Sequence, residues 1–207
     1  MKKLLEGIVR FKQEDFEEHK HLFSNLKRAQ TPHTLFIGCS DSRVVPELIT
    51  KTMPGELFVI RNIANIVPSY RETQEYVSTT SGIEYAVNVL NVQNIVVCGH
   101  SNCGGCASMY LPESVLAQTP HTRKWLELTR HVKERVLQEL NGQGEDVREW
   151  MTEQINVIEQ IKHLLSYPFI KEKCQNKEIN ILGWYYIIET GEVFVYNSAL
   201  GEFQLAN

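Results

Sequence analysis

The sequence predicts an α/β protein: a mostly parallel β-sheet core flanked by helices, with an N-terminal helical arm and an antiparallel C-terminal edge hairpin. Three observations carry this expectation. Short continuous apolar runs, TLFIGC (34–39), LFVIRN (57–62) and NIVVCG (94–99), are separated by longer segments, one with clear helical periodicity, which is the pattern of β-α-β units. Two further strand-like runs, INILGWYYII (179–188) and EVFVYN (192–197), flank Glu189-Thr190-Gly191 and read as a hairpin. At 207 residues the chain is long enough for one well-packed core and short for two.

Residues 4–29 carry Leu5, Ile8, Val9, Phe16, Leu22, Phe23 and Leu26 near helical spacing amid charges, which predicts one or two amphipathic helices ended by the Pro32 region. The runs 34–39 and 57–62, split by the breaker Met53-Pro54-Gly55, are expected as inner strands. Residues 74–91 place Ile83, Ala86, Val87 and Leu90 on one helical face before the third run. Helical patterns resume over 103–111, 121–140 and 145–167, with the polar NGQGED (141–146) as a loop. No repeat, low-complexity tract or linker interrupts the chain, so residues 1–207 read as a single domain, with residues 1–30 as the arm.

Composition excludes several function classes. A formal charge of −4 with scattered basic residues leaves no electrostatic footprint for nucleic acid. No uncharged apolar run approaches the ~20 residues that cross a bilayer, and Glu6 and Arg10 break the apolar stretch that follows Lys2 and Lys3, so neither a membrane partner nor an export signal is expected. A cytoplasmic protein is the expectation. Its five cysteines, an odd number, disfavour a disulfide framework and leave metal binding, catalysis or burial.

The stretch GHSNCGGC (99–106) admits three chemistries. A serine nucleophile needs G-x-S-x-G, but Cys103 stands where the second glycine belongs. A redox pair Cys103-x-x-Cys106 is possible by spacing alone, which is weakly specific. A metal site requires partners for His100 and Cys103, and Cys39 closes the run TLFIGC as His100 follows NIVVCG. If those two strands are parallel neighbours, their carboxyl ends meet where open α/β sheets bind ligands. Two sulfurs and one nitrogen suit tetrahedral zinc, and three protein ligands leave a position open for water and chemistry.

With these residues assembled, the chain resembles the β-class carbonic anhydrases. The resemblance rests on CSDSR (39–43), PGELFVIRNIANIVP (54–68), GIEYA (82–86) and GHSNCGG (99–105), four blocks in the family's order, with GWYYIIETG (183–191) similar to its late strand pair. It implies a carbonate dehydratase, a lyase that reversibly hydrates carbon dioxide to bicarbonate and a proton through zinc-bound hydroxide. One zinc per subunit would be held by Cys39, His100 and Cys103. Asp41 and Arg43 match the catalytic pair, Arg43 holding the Asp41 carboxylate towards the water. Gln30, Phe58, Tyr85 and the Gly104 backbone N–H would bind substrate in a pocket commonly shared between subunits, which implies a homodimer or homotetramer. Phe36 replaces the Trp of the bicarbonate-inhibited subtype, although Arg61 and Tyr186 match its other residues, so the open, type I subtype is expected.

Two alternatives stay open on sequence. Carbonyl sulfide or carbon disulfide hydrolysis would use the same scaffold. A non-catalytic zinc-stabilised binding module would use His100, Cys103 and Cys106 and leave Cys39 idle. The remaining histidines and Trp125, Trp150 and Trp184 read as surface, packing or interface residues, and Cys98 and Cys174 as small buried apolar groups.

Overall fold

The computed structural model describes residues 1–72 and 77–206. Three helices open the chain: α1 (Lys2–Gln13), α2 (Asp15–Glu18) and α3 (Lys20–Leu26). Then come β1 (Thr34–Cys39), α4 (Pro46–Thr50), β2 (Leu57–Asn62), α5 (Ser78–Asn88) and β3 (Asn94–His100). The helices α6 (Gly104–Ala107), α7 (Glu113–Leu116), α8 (Pro120–Leu126), α9 (Arg130–Glu139), α10 (Glu145–Leu165) and α11 (Pro168–Gln175) follow, and β4 (Asn180–Tyr186), β5 (Val193–Asn197) and β6 (Glu202–Leu205) close the chain.

The sheet order is β2-β1-β3-β4-β5-β6. The β1 strand pairs in parallel with both β2 and β3, and β3 with β4, while β5 and β6 add antiparallel. The register sets Gly38 against Cys98, so Cys39 and His100 emerge together at the carboxyl edge. All six residues of β1 are buried, as the continuous apolar run requires of a central strand. Alternate residues serve opposite faces: Leu35, Ile37, Ile95 and Val97 pack with Ile83, Val87 and Val157, whereas Phe36, Val96 and Cys98 pack with Trp184 and Tyr186.

Helix α10 lies directly against β3 and β4 because two glycines admit it. A Cβ on Gly99 would come within 2.6 Å of Val157 Cγ2, and one on Gly183 within 2.8 Å of Ile161 Cδ1. Glu145 and Asp146 at the start of this helix and Lys162 and His163 at its end complement its dipole. Its inward face carries a polar row that ties down the loop after β2: Asn156 Nδ2 donates to the Ala64 carbonyl, and Gln160 Oε1 accepts from the Val67 N–H, both at 2.8 Å.

Several expectations need correction. The run 57–62 is an edge strand rather than an inner one; Arg61 is exposed and its neighbours are only half-buried. The helix expected over 74–91 is Ser78–Asn88, turned off by Asn91 at φ 54°, and residues 74–76 lie outside the described ones. The expected helix over 103–111 shortens to α6 plus a 3-10 turn at Ser108–Tyr110, and that over 121–140 divides at Glu127–Thr129. The expected edge hairpin places β4 inside the sheet, and β6, which the sequence pattern did not suggest, becomes the edge. Cys98 is fully buried, whereas Cys174 is only half-buried.

Rings within the arm pack on one another: Phe11 meets Phe16 and Phe23 edge-on, at 6.3 and 6.1 Å, and Phe16 stacks on Phe23 at 5.2 Å. No residue of α1 is buried, and Leu4, Leu5, Ile8, Val9 and Phe11 present an apolar face to the exterior. Among the described residues no helix is long and apolar enough to cross a membrane.

Candidate metal centre

Cys39 ends β1, His100 ends β3, and Cys103 is three residues further on, at the start of α6. Their ligand atoms lie within 4.8 Å of one another and all three residues are buried; no other such group of His, Cys, Asp and Glu occurs among the described residues. The set includes Cys39 and excludes Cys106, against the arrangement of a His100-Cys103-Cys106 binding module.

The donors fit a tetrahedral cation. Two sulfurs each about 2.3 Å from a tetrahedral zinc would stand about 3.8 Å apart; Cys39 Sγ and Cys103 Sγ are 3.9 Å apart. The Ser101 carbonyl can only accept, so His100 Nδ1 donates to it at 3.0 Å, which leaves the Nε2 lone pair facing the sulfurs. That Nε2 is buried without a hydrogen-bond partner, in a residue 1% exposed. A buried polar atom left so is costly, and a metal bond removes the cost.

The thiols respond to the same crowding. The Cys103 contact, together with burial, pushes Cys39 up to about 12, and the neighbouring Cys106 thiol, again with burial, raises Cys103. Two buried sulfurs cannot both ionise without a cation to share, so metal binding must expel their protons.

Beside this cluster lies a carboxylate. Asp41 accepts from Arg43 Nε at 2.9 Å, Arg43 Nη2 at 2.8 Å and the Arg43 N–H at 3.0 Å, and its Oδ2 stands 3.9 Å from His100 Nε2. The Arg43 guanidinium holds the Asp41 carboxyl well below the usual carboxylate range. The third anchor of Arg43 is the Asn102 carbonyl, at 3.0 Å. Arg61 stiffens the same turn, donating to the Cys39 carbonyl at 2.9 Å and the Asp41 carbonyl at 2.6 Å.

The other expected site residues divide. Gly104 is exposed next to Cys103, with open space where a Cβ would stand. Phe58 and Tyr85 pair at 6.0 Å, and Gln30 and Tyr85 line a cavity of about 450 Å³ with Leu26, Arg28, Ala29 and Leu90. That cluster is not beside Cys39. Phe58 is in register with Leu35, four residues before Cys39, which at roughly 3.3 Å per residue is about 13 Å along the strand. Ser101 is no exposed nucleophile: it is buried, and its Oγ accepts the Ile188 N–H at 3.0 Å.

Sequence reasoning missed Glu153. This residue of α10 is 3% exposed; its Oε1 accepts the Cys103 N–H at 2.8 Å and its Oε2 the Tyr185 hydroxyl at 2.7 Å. The only signal was its helical spacing with Val157 and Leu164, a spacing that Glu149 shares.

A Cys2His cluster at the carboxyl end of parallel strands, with an arginine-held carboxylate beside it, defines a metalloenzyme that works on a small substrate through water. Comparison with known proteins makes the class specific. A family model described as carbonic anhydrase matches residues 34–193. The carbonic anhydrase of Helicobacter pylori strain J99 is 45% identical over 194 residues, covering 92% of this chain and 88% of its own, and that of Pseudomonas aeruginosa is 39% identical over 207 residues, covering 98% and 90%. The solved β-carbonic anhydrase CcaA superposes with a TM-score of 0.95 at 35% identity, covering 100% of this chain and 99% of its own. One of two tetrameric β-carbonic anhydrases from Sordaria macrospora gives 0.80 at 33% identity, covering 92% and 93%. The chain belongs to the β-carbonic anhydrase family, whose metal is zinc and whose expected activity is the hydration of carbon dioxide.

Proposed function

We propose that Cys39, His100 and Cys103 hold the zinc ion and that Asp41 and Arg43 are the catalytic pair for reversible hydration of carbon dioxide. The observation that carries this reading is the buried, unpartnered His100 Nε2 facing two sulfurs 3.9 Å apart, with the Asp41 carboxylate 3.9 Å from that nitrogen. Zinc at such a site supplies a nucleophile by acidifying the water it binds, an effect long established for carbonic anhydrases. The chain does the rest. Asp41, held as a hydrogen-bond acceptor by Arg43, would accept a hydrogen bond from the attacking water and so orient its oxygen towards the substrate carbon. Arg43, fastened to the Asn102 carbonyl, keeps the carboxylate from swinging onto the open position. This pairing, together with Phe36 and the engagement of Arg61 by two backbone carbonyls, supports the open, type I subtype. The Gly104 backbone N–H, next to Cys103 and unobstructed by a side chain, would serve as a donor to the substrate.

Gln30, Phe58 and Tyr85 enter this reading from a second copy of the chain. Tyr85 is 45% exposed and the apolar face of α1 is open to the exterior, surfaces that a second copy could cover. We therefore read residues 1–207 as one catalytic unit whose arm, residues 1–30, grips a neighbour in a homodimer or homotetramer. Five free cysteines suit a reducing, cytoplasmic setting.

Stopped-flow hydration with a pH indicator tests the activity, alongside zinc analysis of Cys39→Ser and Cys106→Ser. The expected result is rapid hydration by the wild type, zinc lost from Cys39→Ser and kept by Cys106→Ser. No acceleration at any pH from about 6 to 9 overturns the activity, sulfide release from carbonyl sulfide in its place reassigns the substrate, and the reverse pattern of zinc retention overturns the ligand set.

A further inference from the structure

The proposed chemistry makes no use of the buried carboxylate beneath the metal-ligand turn. Burying an anion is costly unless it is fully engaged, so a 3% exposed Glu153 in the core demands a reason. Its partners supply one. Oε1 takes the Cys103 N–H at 2.8 Å and Oε2 takes the Tyr185 hydroxyl at 2.7 Å, charge-assisted bonds that join helix α10, strand β4 and the turn after β3. The turn reverses the chain at Asn102, whose φ of 54° lies in the left-handed region that asparagine tolerates best, and it sets the next N–H, that of Cys103, towards the Glu153 carboxylate.

Two functional atoms hang on that turn. Cys103 contributes the sulfur 3.9 Å from Cys39, and the Asn102 carbonyl receives Arg43 Nη2 at 3.0 Å. The helix bearing Glu153 packs closely on β3: a Cβ on Gly99, one residue before His100, would come within 2.6 Å of Val157 Cγ2 and 3.4 Å of the Glu153 carbonyl.

We propose that Glu153 is a positioning residue that, backed by Tyr185, locks the turn 101–103 so that the Cys103 sulfur meets Cys39 and His100 while the Asn102 carbonyl holds Arg43 against Asp41. The inference rests on the ligand set proposed above. It assigns one carboxylate to both the metal and the catalytic pair, and it requires the carboxylate as a hydrogen-bond acceptor more than as a charge.

The test uses the full-length protein and its Glu153→Ala, Glu153→Gln and Tyr185→Phe variants. Zinc release is measured against a chromophoric chelator, and the cobalt-substituted forms give the visible bands that report thiolate ligation and tetrahedral geometry. Glu153→Ala is expected to weaken metal retention about 10- to 100-fold, the range usual for loss of a partner behind a ligand, and to alter the cobalt spectrum. Glu153→Gln, whose amide oxygen accepts the same N–H, is expected to restore the wild-type spectrum and most of the retention. Tyr185→Phe is expected to move both readouts in the Glu153→Ala direction by a smaller factor. Wild-type retention and spectrum in Glu153→Ala, or a Glu153→Gln variant as impaired as Glu153→Ala, overturns the proposal. Should Glu153→Ala fail to fold, Tyr185→Phe decides: a wild-type spectrum with wild-type retention overturns the proposal, and a shifted one supports it. Cys39→Ser separates the two readings, because a Cys39→Ser variant that still takes up cobalt with the wild-type spectrum removes the ligand set itself rather than the role of Glu153.

Discussion

The two halves of the candidate site are built in opposite ways. At the carboxyl ends of β1 and β3 the functional atoms are tied to the chain, the metal donors buried and the ion pair nearer the surface: Cys103 to Glu153, His100 to the Ser101 carbonyl, Asp41 to Arg43, and Arg43 to Asn102. Elsewhere, Tyr85 and the apolar face of α1 are open to the exterior, Phe58 lies about four residues of strand away from the donors, and Gln30 lines a cavity with Tyr85. On the reading proposed above, the contrast teaches that metal binding would be specified within one chain, whereas the walls that receive the substrate would depend on assembly.

The largest effect that would sharpen this contrast is expected from His100→Ala, which removes the one nitrogen donor. Zinc content by atomic absorption should fall to background and hydration with it, while the oligomeric state, read by light scattering, stays that of the wild type. Coupled loss of metal and assembly would erase the distinction between the halves. Next, Asp41→Ala and Arg43→Ala should each keep a full complement of zinc yet lose about 10²- to 10⁴-fold in kcat/KM, as expected for a positioned proton acceptor and its holder. Loss of zinc in either variant would make the pair structural.

A third experiment breaks the other half. Replacing Leu5, Ile8 and Val9 together with serine strips the exposed face of α1, from which no residue is buried in the single chain. The variant should run as smaller species in light scattering, retain zinc, and show reduced kcat/KM; monomers of full activity would show that one chain builds the whole pocket. The smallest effect concerns acid–base linkage. Folding raises the Cys39 thiol from 9.0 to about 12, so the metal-free folded state binds this proton more tightly than the unfolded chain. Its contribution to stability is whole below pH 9 and fades as the pH climbs towards 12. Melting temperatures of the metal-free protein should therefore decline over that window more steeply than those of the zinc form, in which the thiol proton is already gone.

Much of this was legible in the residues. Continuous apolar runs gave away β1 and β3, and the strand-end positions of Cys39 and His100 led to the metal cluster before any fold was known. Local hydrophobicity could not reveal that LFVIRN sits at an edge, because neighbours are chosen by topology rather than by composition. Nor could it single out Glu153 from Glu149 or Glu159 on the same helix, since only packing decides which carboxylate turns inward. The anchor of Arg43 on Asn102 and that of His100 on Ser101 run through main-chain carbonyls, which every residue has and no motif displays. The separation of Phe58 and Tyr85 from Cys39 likewise followed from register, not from spacing along the chain.

Ser101 carries one more consequence. Its N–H donates to the Tyr186 carbonyl and its Oγ receives the Ile188 N–H, so the ligand turn is stitched to a strand that the ribosome makes some eighty residues later. Cys39 leaves the exit tunnel long before Tyr185 and Ile188 exist, and a nascent chain halted ahead of β4 has its three donors but neither the hydroxyl nor the strand that sets their turn. The ligand turn thus acquires its full set of bonds only after β4 has been made.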